Sequence, residues 1–385
     1  MAYLHEVKGS ADDEPAEEAG REDAAFASVV LDPLLESGLY ADATWILRGP
    51  GRRIESHATT TPRHAIYDLA SITKPFTASV ALWAASRGLI DLDEPVFPER
   101  LLCATSLDAL LRHQGGARAW WPLYSGTGKA EAQLLSKDLW PGTPGVYSDV
   151  GYLVAARWIE RRTGRSLLEL LKAFLAAELP TVRIHDSGVP VLFSRTEQEG
   201  LDPRPLSSPC STGKEVELAA AQGLEIVDLG APDPGQPQDG NSRWMARRGA
   251  LAGHAGLFGT AQAVEQLLAR WLRALAGPED TSGGSSAPSA LDRALQAALV
   301  PKEGRFLGWQ RPAEEWKLSE DVFGHYGFTG GAVWVDPGRR SYMVLLAHRV
   351  RHDSNLEPSR RAVTEAWQRW AISADVSAGP PAVDW

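Results

Sequence analysis

The repeat distance of apolar residues changes twice along this chain, and that change limits its architecture more than any other feature. Ala41–Leu47 (Ala-Asp-Ala-Thr-Trp-Ile-Leu), Ala332–Val335 and Tyr342–Ala347 read as strands. The last two are joined by Asp336-Pro337-Gly338, a turn sequence of antiparallel hairpins. Between these ends the spacing is helical. Leu69 to Arg87 carries Phe76, Val80, Trp83 and Ala84 on one side and stops at Gly88. Pro75 fits that helix if it starts near Ala70 or Ser71, because the first amides of a helix have no internal partner. Asp149–Thr163, a helix opened by the Ser166/Glu169 capping box and running through Phe174, and Ala261–Ala276 follow, with Pro358–Trp370 closing the chain. Strands contributed by both ends have to share a sheet to bury their apolar faces. The expected fold class is therefore α+β, an α/β sandwich with an antiparallel sheet built from both chain termini, flanked by helices, and a mostly helical domain inserted.

The expected boundaries are a sheet domain of residues 25–75 and 318–372, a helical and loop domain of 76–317, a disordered acidic tail of 1–24 and a C-terminal tail of 373–385. Asp186–Asn241 is rich in Pro and Gly with little periodicity and reads as long surface loops, and Gly277–Ser289 as a flexible low-complexity loop.

Charge and composition narrow the function. The 385 residues hold 39 Lys+Arg against 49 Asp+Glu, a net charge of −10. An acidic chain with no basic block lacks the charge that nucleic-acid binding requires. The two cysteines, Cys103 and Cys210, are far apart, which argues against a disulfide scaffold and a cysteine zinc site. No apolar run approaches the ~18 residues of a membrane span. Met1–Ala24 is acidic and has no apolar segment of the signal-peptide kind, so the expected location is cytoplasmic.

Three short stretches could carry chemistry. Ser71-Ile72-Thr73-Lys74 stands at a helix start, where residues three apart share a face and the Lys74 amine reaches the Ser71 hydroxyl. A neighbouring base is what makes a serine nucleophilic, and the helix N-terminus offers free N–H groups to an oxyanion. The bland reading is a surface Ser and Lys in a first turn. Ser211-Thr212-Gly213-Lys214 matches the same pattern but contains Gly213, follows Pro209 and reads as loop, so no helix holds its pair in register. Tyr147-Ser148-Asp149 precedes a helix and offers a phenol as second proton carrier, or simply a packed Tyr followed by an N-cap. His325-Tyr326-Gly327-Phe328-Thr329-Gly330-Gly331 leads into a strand whose glycines let a carbonyl approach the backbone, or else mark a bulged edge. His254-Ala255-Gly256 competes with it, but the expectation is that His254 precedes a helix and is structural, like His113 at a helix end. Trp120, Trp121 and Trp140 line an apolar pocket or, more often for such dense aromatics, belong to the core. Phosphate-loop, His-Glu-x-x-His, Gly-x-Ser-x-Gly and dinucleotide signatures are absent.

In this order, the three motifs resemble the penicillin-recognising serine hydrolases, in the class C β-lactamase, D-alanyl-D-alanine peptidase and serine esterase branch. Asp68–Pro75, Arg87–Val96, Gly253–Thr260 and Gly324–Gly330 strengthen the likeness, which spans about Tyr40 to Ile372. The resemblance implies Ser71 as acylated nucleophile, Lys74 as adjacent proton acceptor and Tyr147 as general base, then acid. It also implies Asp149 at the third position of a Tyr-x-Asn motif and His325-Tyr326-Gly327 where many relatives have Lys-Thr-Gly. The oxyanion would rest on the N–H groups of Ser71 and Phe328. No metal or organic cofactor is expected, and the partner is a small-molecule acyl substrate. Asp149 in place of Asn favours protonated Lys74 and shifts the base role toward Tyr147. His325 attracts a carboxylate less than lysine, and Tyr326 is expected to narrow the groove; both fit an esterase or amidase acting on neutral acyl groups. The alternatives are a β-lactamase or D-Ala-D-Ala carboxypeptidase, and an inactive binding protein on the same fold.

Overall fold

The structure, a computed structural model, describes residues 33–57, 65–98, 105–125, 130–186, 189–194, 208–276 and 287–376. The acidic tail of 1–24, Cys103 and the low-complexity residues 277–286 lie outside them, as do residues 377–385 of the C-terminal tail. The strands are β1 (Tyr40–Gly49), β2 (Arg52–His57), β3 (Tyr67–Asp68), β4 (Val182–Asp186), β5 (Pro190–Ser194), β6 (Phe258–Gly259), β7 (Phe323–Tyr326), β8 (Ala332–Asp336) and β9 (Ser341–Arg349). The helices are α1 (Thr73–Ser86), α2 (Leu107–Leu111), α3 (Ala130–Leu134), α4 (Asp149–Thr163), α5 (Leu167–Glu178), α6 (Gly213–Ala220), α7 (Gly240–Ala246), α8 (Ala261–Ala276), α9 (Ala290–Ala298) and α10 (Glu357–Val376).

The two ends of the chain share one antiparallel sheet of order β2-β1-β9-β8-β7. β1 pairs with β9, with Trp45 opposite Leu345 and Ile46 opposite Val344. Because side chains alternate across a strand, these neighbours serve two cores. Trp45, Trp334, Met343 and Leu345 pack against Val363, Trp367 and Trp370 of α10. Ile46, Val333, Val335, Val344 and Leu346 face the other way, into the main core with Phe76 of α1 and Trp271 of α8. β7, at the end of the order, is thereby set beside the turn that leads into α1.

Local rules explain the helices that hold the site. A 3-10 turn, Ala70–Ile72, runs directly into α1, and Pro75 sits in the first turn of that helix. Ser148 caps α4 by accepting from the Gly151 N–H, and Gly164, at φ 66°, ends it in the left-handed region that favours glycine. The capping box of Ser166 and Glu169 opens α5.

Several elements depart from expectation. β2 and the second sheet, of order β3-β6-β5-β4, carry no strong alternation and were not anticipated. The stretch read as surface loops contains β5, α6 and the start of α7. Its short helices are held by distant polar partners: Thr212 bonds the Asp228 carboxylate, and Glu215 at the start of α6 accepts the Gly240 N–H that opens α7. Around Lys214 a helix does form, yet the Lys214 amine pairs with Glu217 and the Ser211 hydroxyl accepts from the Gly213 N–H, so that second Ser-x-x-Lys match does not bring its ends together. Trp120 and Trp140 are buried core residues, Trp140 donating to the Leu134 carbonyl, while Trp121 packs half-buried against the same core. α10 continues past Trp370 to Val376.

Candidate active site

Ser71 occupies the middle of the 3-10 turn and is half-buried. The turn is held from behind. The Asp68 carboxylate accepts the Ala70 N–H at 2.9 Å and the Gln238 N–H at 2.7 Å, while the Asp68 carbonyl accepts from the Thr329 hydroxyl at 2.7 Å. Ala70 itself stands at φ 44°, a left-handed conformation that is costly for a residue with a Cβ. Asp68 thus fixes a strained residue immediately before Ser71.

One helical turn further on, Lys74 is wholly buried. Its ammonium donates to the Ser71 Oγ at 2.8 Å and to the His254 carbonyl at 3.3 Å, and pairs with Asp149 Oδ1 at 2.7 Å. It also lies 4.8 Å from the centre of the Tyr147 ring and 5.6 Å from that of Tyr152. Burial pulls its pKa down, but the Asp149 charge and then Tyr147 outweigh that and hold it above the ordinary lysine value. The Tyr147 phenol is pushed up by burial and by Asp149, against the lowering influence of Lys74 and of hydrogen bonding to Lys74 and Ser71. Both shifts favour the protonated forms.

Asp149 is the first residue of α4, and its N–H donates to the Ala119 carbonyl. That placement turns its carboxylate toward α1. Tyr147, two residues earlier, is stacked against His113, with ring centres 4.3 Å apart. The His113 Nδ1 accepts the Ser148 N–H at 2.9 Å, which anchors the whole Tyr147–Asp149 segment to the end of α2. Burial and then the Lys74 charge keep His113 far below the usual imidazole range.

β7 brings the third stretch alongside. His325, buried, has its ring centre 6.1 Å from that of Tyr147. Its pKa is driven to about 3 by burial and by Lys74. The Gly327 N–H donates to the Gly331 carbonyl, and a Cβ on Gly327 would lie 3.0 Å from the Leu69 carbonyl, so the chain passes close to the Ser71 turn. No internal acceptor is found for the N–H groups of Ser71 and Phe328 among the described residues. The Phe328 ring lies beneath the Arg349 guanidinium, 4.5 Å away.

Tyr326 is the exception among the expected site residues. Strand alternation sends it to the opposite face of the sheet, between Trp316, Trp334 and Arg360, so it does not narrow any groove beside Ser71.

The Gly253–Thr260 stretch, read as part of the likeness, contributes through its backbone. The segment after Gly253 is sewn to α1: Thr77 donates to the Gly253 carbonyl, Lys74 to that of His254, and the Leu257 N–H donates to the Thr73 hydroxyl. The His254 Nε2 lies 3.0 Å from the Asp239 carboxylate. His254 leads first into β6 rather than directly into a helix. Asp239 is the N-cap of α7, where a cap was legible only once the helix was known.

A family model described as Beta-lactamase matches residues 42–366. The chain belongs to the β-lactamase family. It is therefore a serine hydrolase by family, with the fold expected from its motifs. Among curated relatives, it is 25% identical over 336 residues to an N-acetylmuramyl-L-alanine amidase of Bacillus subtilis (strain 168), covering 76% of this chain and 70% of that protein. Solved β-lactamase structures share the fold. One from Sulfitobacter sp. EE-36 superposes with a TM-score of 0.62 at 17% identity, covering 92% of this chain and 99% of the other. A class C enzyme from Rhodobacter sphaeroides gives 0.58 at 16%, covering 90% and 99%. Among the described residues of this β-lactamase-family chain, no helix is long and apolar enough to cross a membrane.

Proposed function

We propose that this protein hydrolyses an ester or amide of a neutral acyl group through an acyl-enzyme on Ser71. The observation that carries the reading is the Lys74 ammonium, buried and 2.8 Å from the Ser71 hydroxyl, with Asp149 on its other side. In the proposed sequence, the Lys74–Tyr147 pair first loses one proton to solvent. The vacated group takes the Ser71 proton as Oγ attacks the carbonyl, and the pair, with Tyr147 as the donor, passes one proton to the leaving group. The N–H groups of Ser71 and Phe328 receive the oxyanion. Water then releases the acyl group by the same proton route. A neutral His325 in place of a lysine supports a neutral acyl group over a carboxylate-bearing lactam or peptide.

A second reading, amide hydrolysis in particular, draws its support from the Bacillus subtilis relative, which is named as an amidase. A fluorophosphonate probe tests the common core. Covalent labelling that disappears in Ser71→Ala is expected, together with hydrolysis of p-nitrophenyl acetate. A folded protein that neither takes the label nor turns over the ester would be a binding protein on this fold. Failure to form an adduct with a fluorescent penicillin, beside good ester turnover, would exclude a β-lactamase or D-Ala-D-Ala carboxypeptidase; a parallel panel of anilides and esters separates amidase from esterase.

A further inference from the structure

His325 faces the same side of the sheet as Tyr147, while its neighbour Tyr326 faces α10. Its Nδ1 lies 2.9 Å from the Tyr326 backbone carbonyl. A carbonyl oxygen only accepts, so Nδ1 carries the hydrogen. In a neutral ring the other nitrogen, Nε2, then holds a lone pair and can only accept. Nε2 takes no partner among the described residues. Burial and the nearby Lys74 charge keep the ring from acquiring a second proton. The site thus offers, at the position of β7, an acceptor where a cation would have offered a donor.

We infer that His325 Nε2 accepts a hydrogen bond from the substrate, so that the preferred acyl group carries an N–H or O–H donor near the scissile carbonyl, as an acylamino or hydroxy acid does, and a carboxylate there is rejected. This rests on the serine-hydrolase reading and adds a substrate class to it. An acceptor facing an analogue that lacks the donor is left unpaired, and a single such bond is worth up to about tenfold in rate.

Two measurements test the inference. The first compares kcat/KM for the p-nitrophenyl esters of N-acetylglycine and of O-acetylglycolic acid, which differ only in N–H against O. Wild type is expected to prefer the N–H ester by about tenfold, and His325→Lys to lose that preference while gaining on the succinyl half-ester, whose acyl group ends in a carboxylate. Equal rates on the two neutral esters, or a wild-type preference for the succinyl ester, would overturn it. The second does not depend on turnover: ¹⁵N-labelled histidine NMR on Ser71→Ala, titrated with N-acetylglycinamide. A hydrogen on Nδ1 and a shift of the bare Nε2 signal are expected, while a hydrogen on Nε2 overturns the inference even if the protein hydrolyses nothing. Loss of labelling at Ser71 with the expected tautomer intact would count against the hydrolase reading alone.

Discussion

The ammonium of Lys74 lies 2.7 Å from the Asp149 carboxylate, at a position with no exposure to solvent. The carboxylate favours the protonated form of Lys74, and in the proposed mechanism that proton has to leave before Ser71 is activated.

Replacing that carboxylate isolates its effect. In Asp149→Asn the first-ranked force raising the Lys74 pKa disappears, while burial still lowers it. The deprotonated form is then reached at lower pH, so the acidic limb of the kcat/KM profile moves to lower pH. A limb that stays in place, measured over a full pH–rate profile, would show that Asp149 does not set the charge of Lys74. The variant also loses stability, by about 3–5 kcal/mol, for as long as Lys74 remains charged without its partner.

Tyr147→Phe removes one oxygen and leaves the ring stacked on His113. If the phenol shuttles the proton, kcat falls by roughly 10²–10⁴-fold with little change in KM. Circular dichroism and the melting temperature stay near wild type. Retention of most of the activity would remove Tyr147 from the mechanism.

Gly327 measures how closely β7 has to approach the Ser71 turn. A Cβ there would stand 3.0 Å from the Leu69 carbonyl and 3.6 Å from the Ile72 side chain. Gly327→Ala is therefore expected to push the strand outward by a few tenths of an ångström. That displaces the Phe328 N–H and lowers kcat by about tenfold or more. The unfolding free energy, read from urea titration, drops by only about 1–2 kcal/mol. Stability lost with activity unchanged would mean that the close approach serves packing alone.

Glu215 makes stability depend on pH. Its carboxyl accepts the Gly240 N–H and the Tyr124 hydroxyl, and burial, then the Asp239 charge, raise its pKa to about 8. A carboxyl raised in the folded state contributes stability that is fully present below its ordinary value of 4.5 and is lost as pH rises through about 8. Glu215→Gln cannot ionise. Its melting temperature should gain on wild type between pH 5 and pH 8, by the equivalent of about 1–3 kcal/mol. A constant difference across that range would refute the assignment.

Much of this was legible in the sequence because it is encoded locally. The caps of α4 and α5, the helical spacing after Ser71 and the β8–β9 turn each depend on residues a few positions apart. The meeting of Ser71, Lys74, Tyr147, Asp149 and His325 in one cluster followed from three ordered motifs. What stayed hidden depends on distant partners. Asp239, Glu215 and Gln238 hold their segment through bonds to His254, Gly240 and Asp68, and no periodicity announces such contacts. The face taken by Tyr326 was misjudged for a different reason: a motif gives the order of residues, whereas the parity of a strand gives the side on which each one lands.

The pairing of β1 with β9 has a temporal consequence. Residues 40–49 leave the ribosome roughly three hundred positions ahead of the strand they need, as read from the span to residues 341–349. Until then the first hairpin has an unsatisfied edge, and β7 has no β9-anchored neighbour to hold it beside Ser71. Contacts of such long sequence separation close slowly and leave nascent chains prone to sticking. Hydrolytic competence should therefore switch on late and all at once, when synthesis is nearly finished, and chains that stop short of residue 349 should be inert and in need of chaperones.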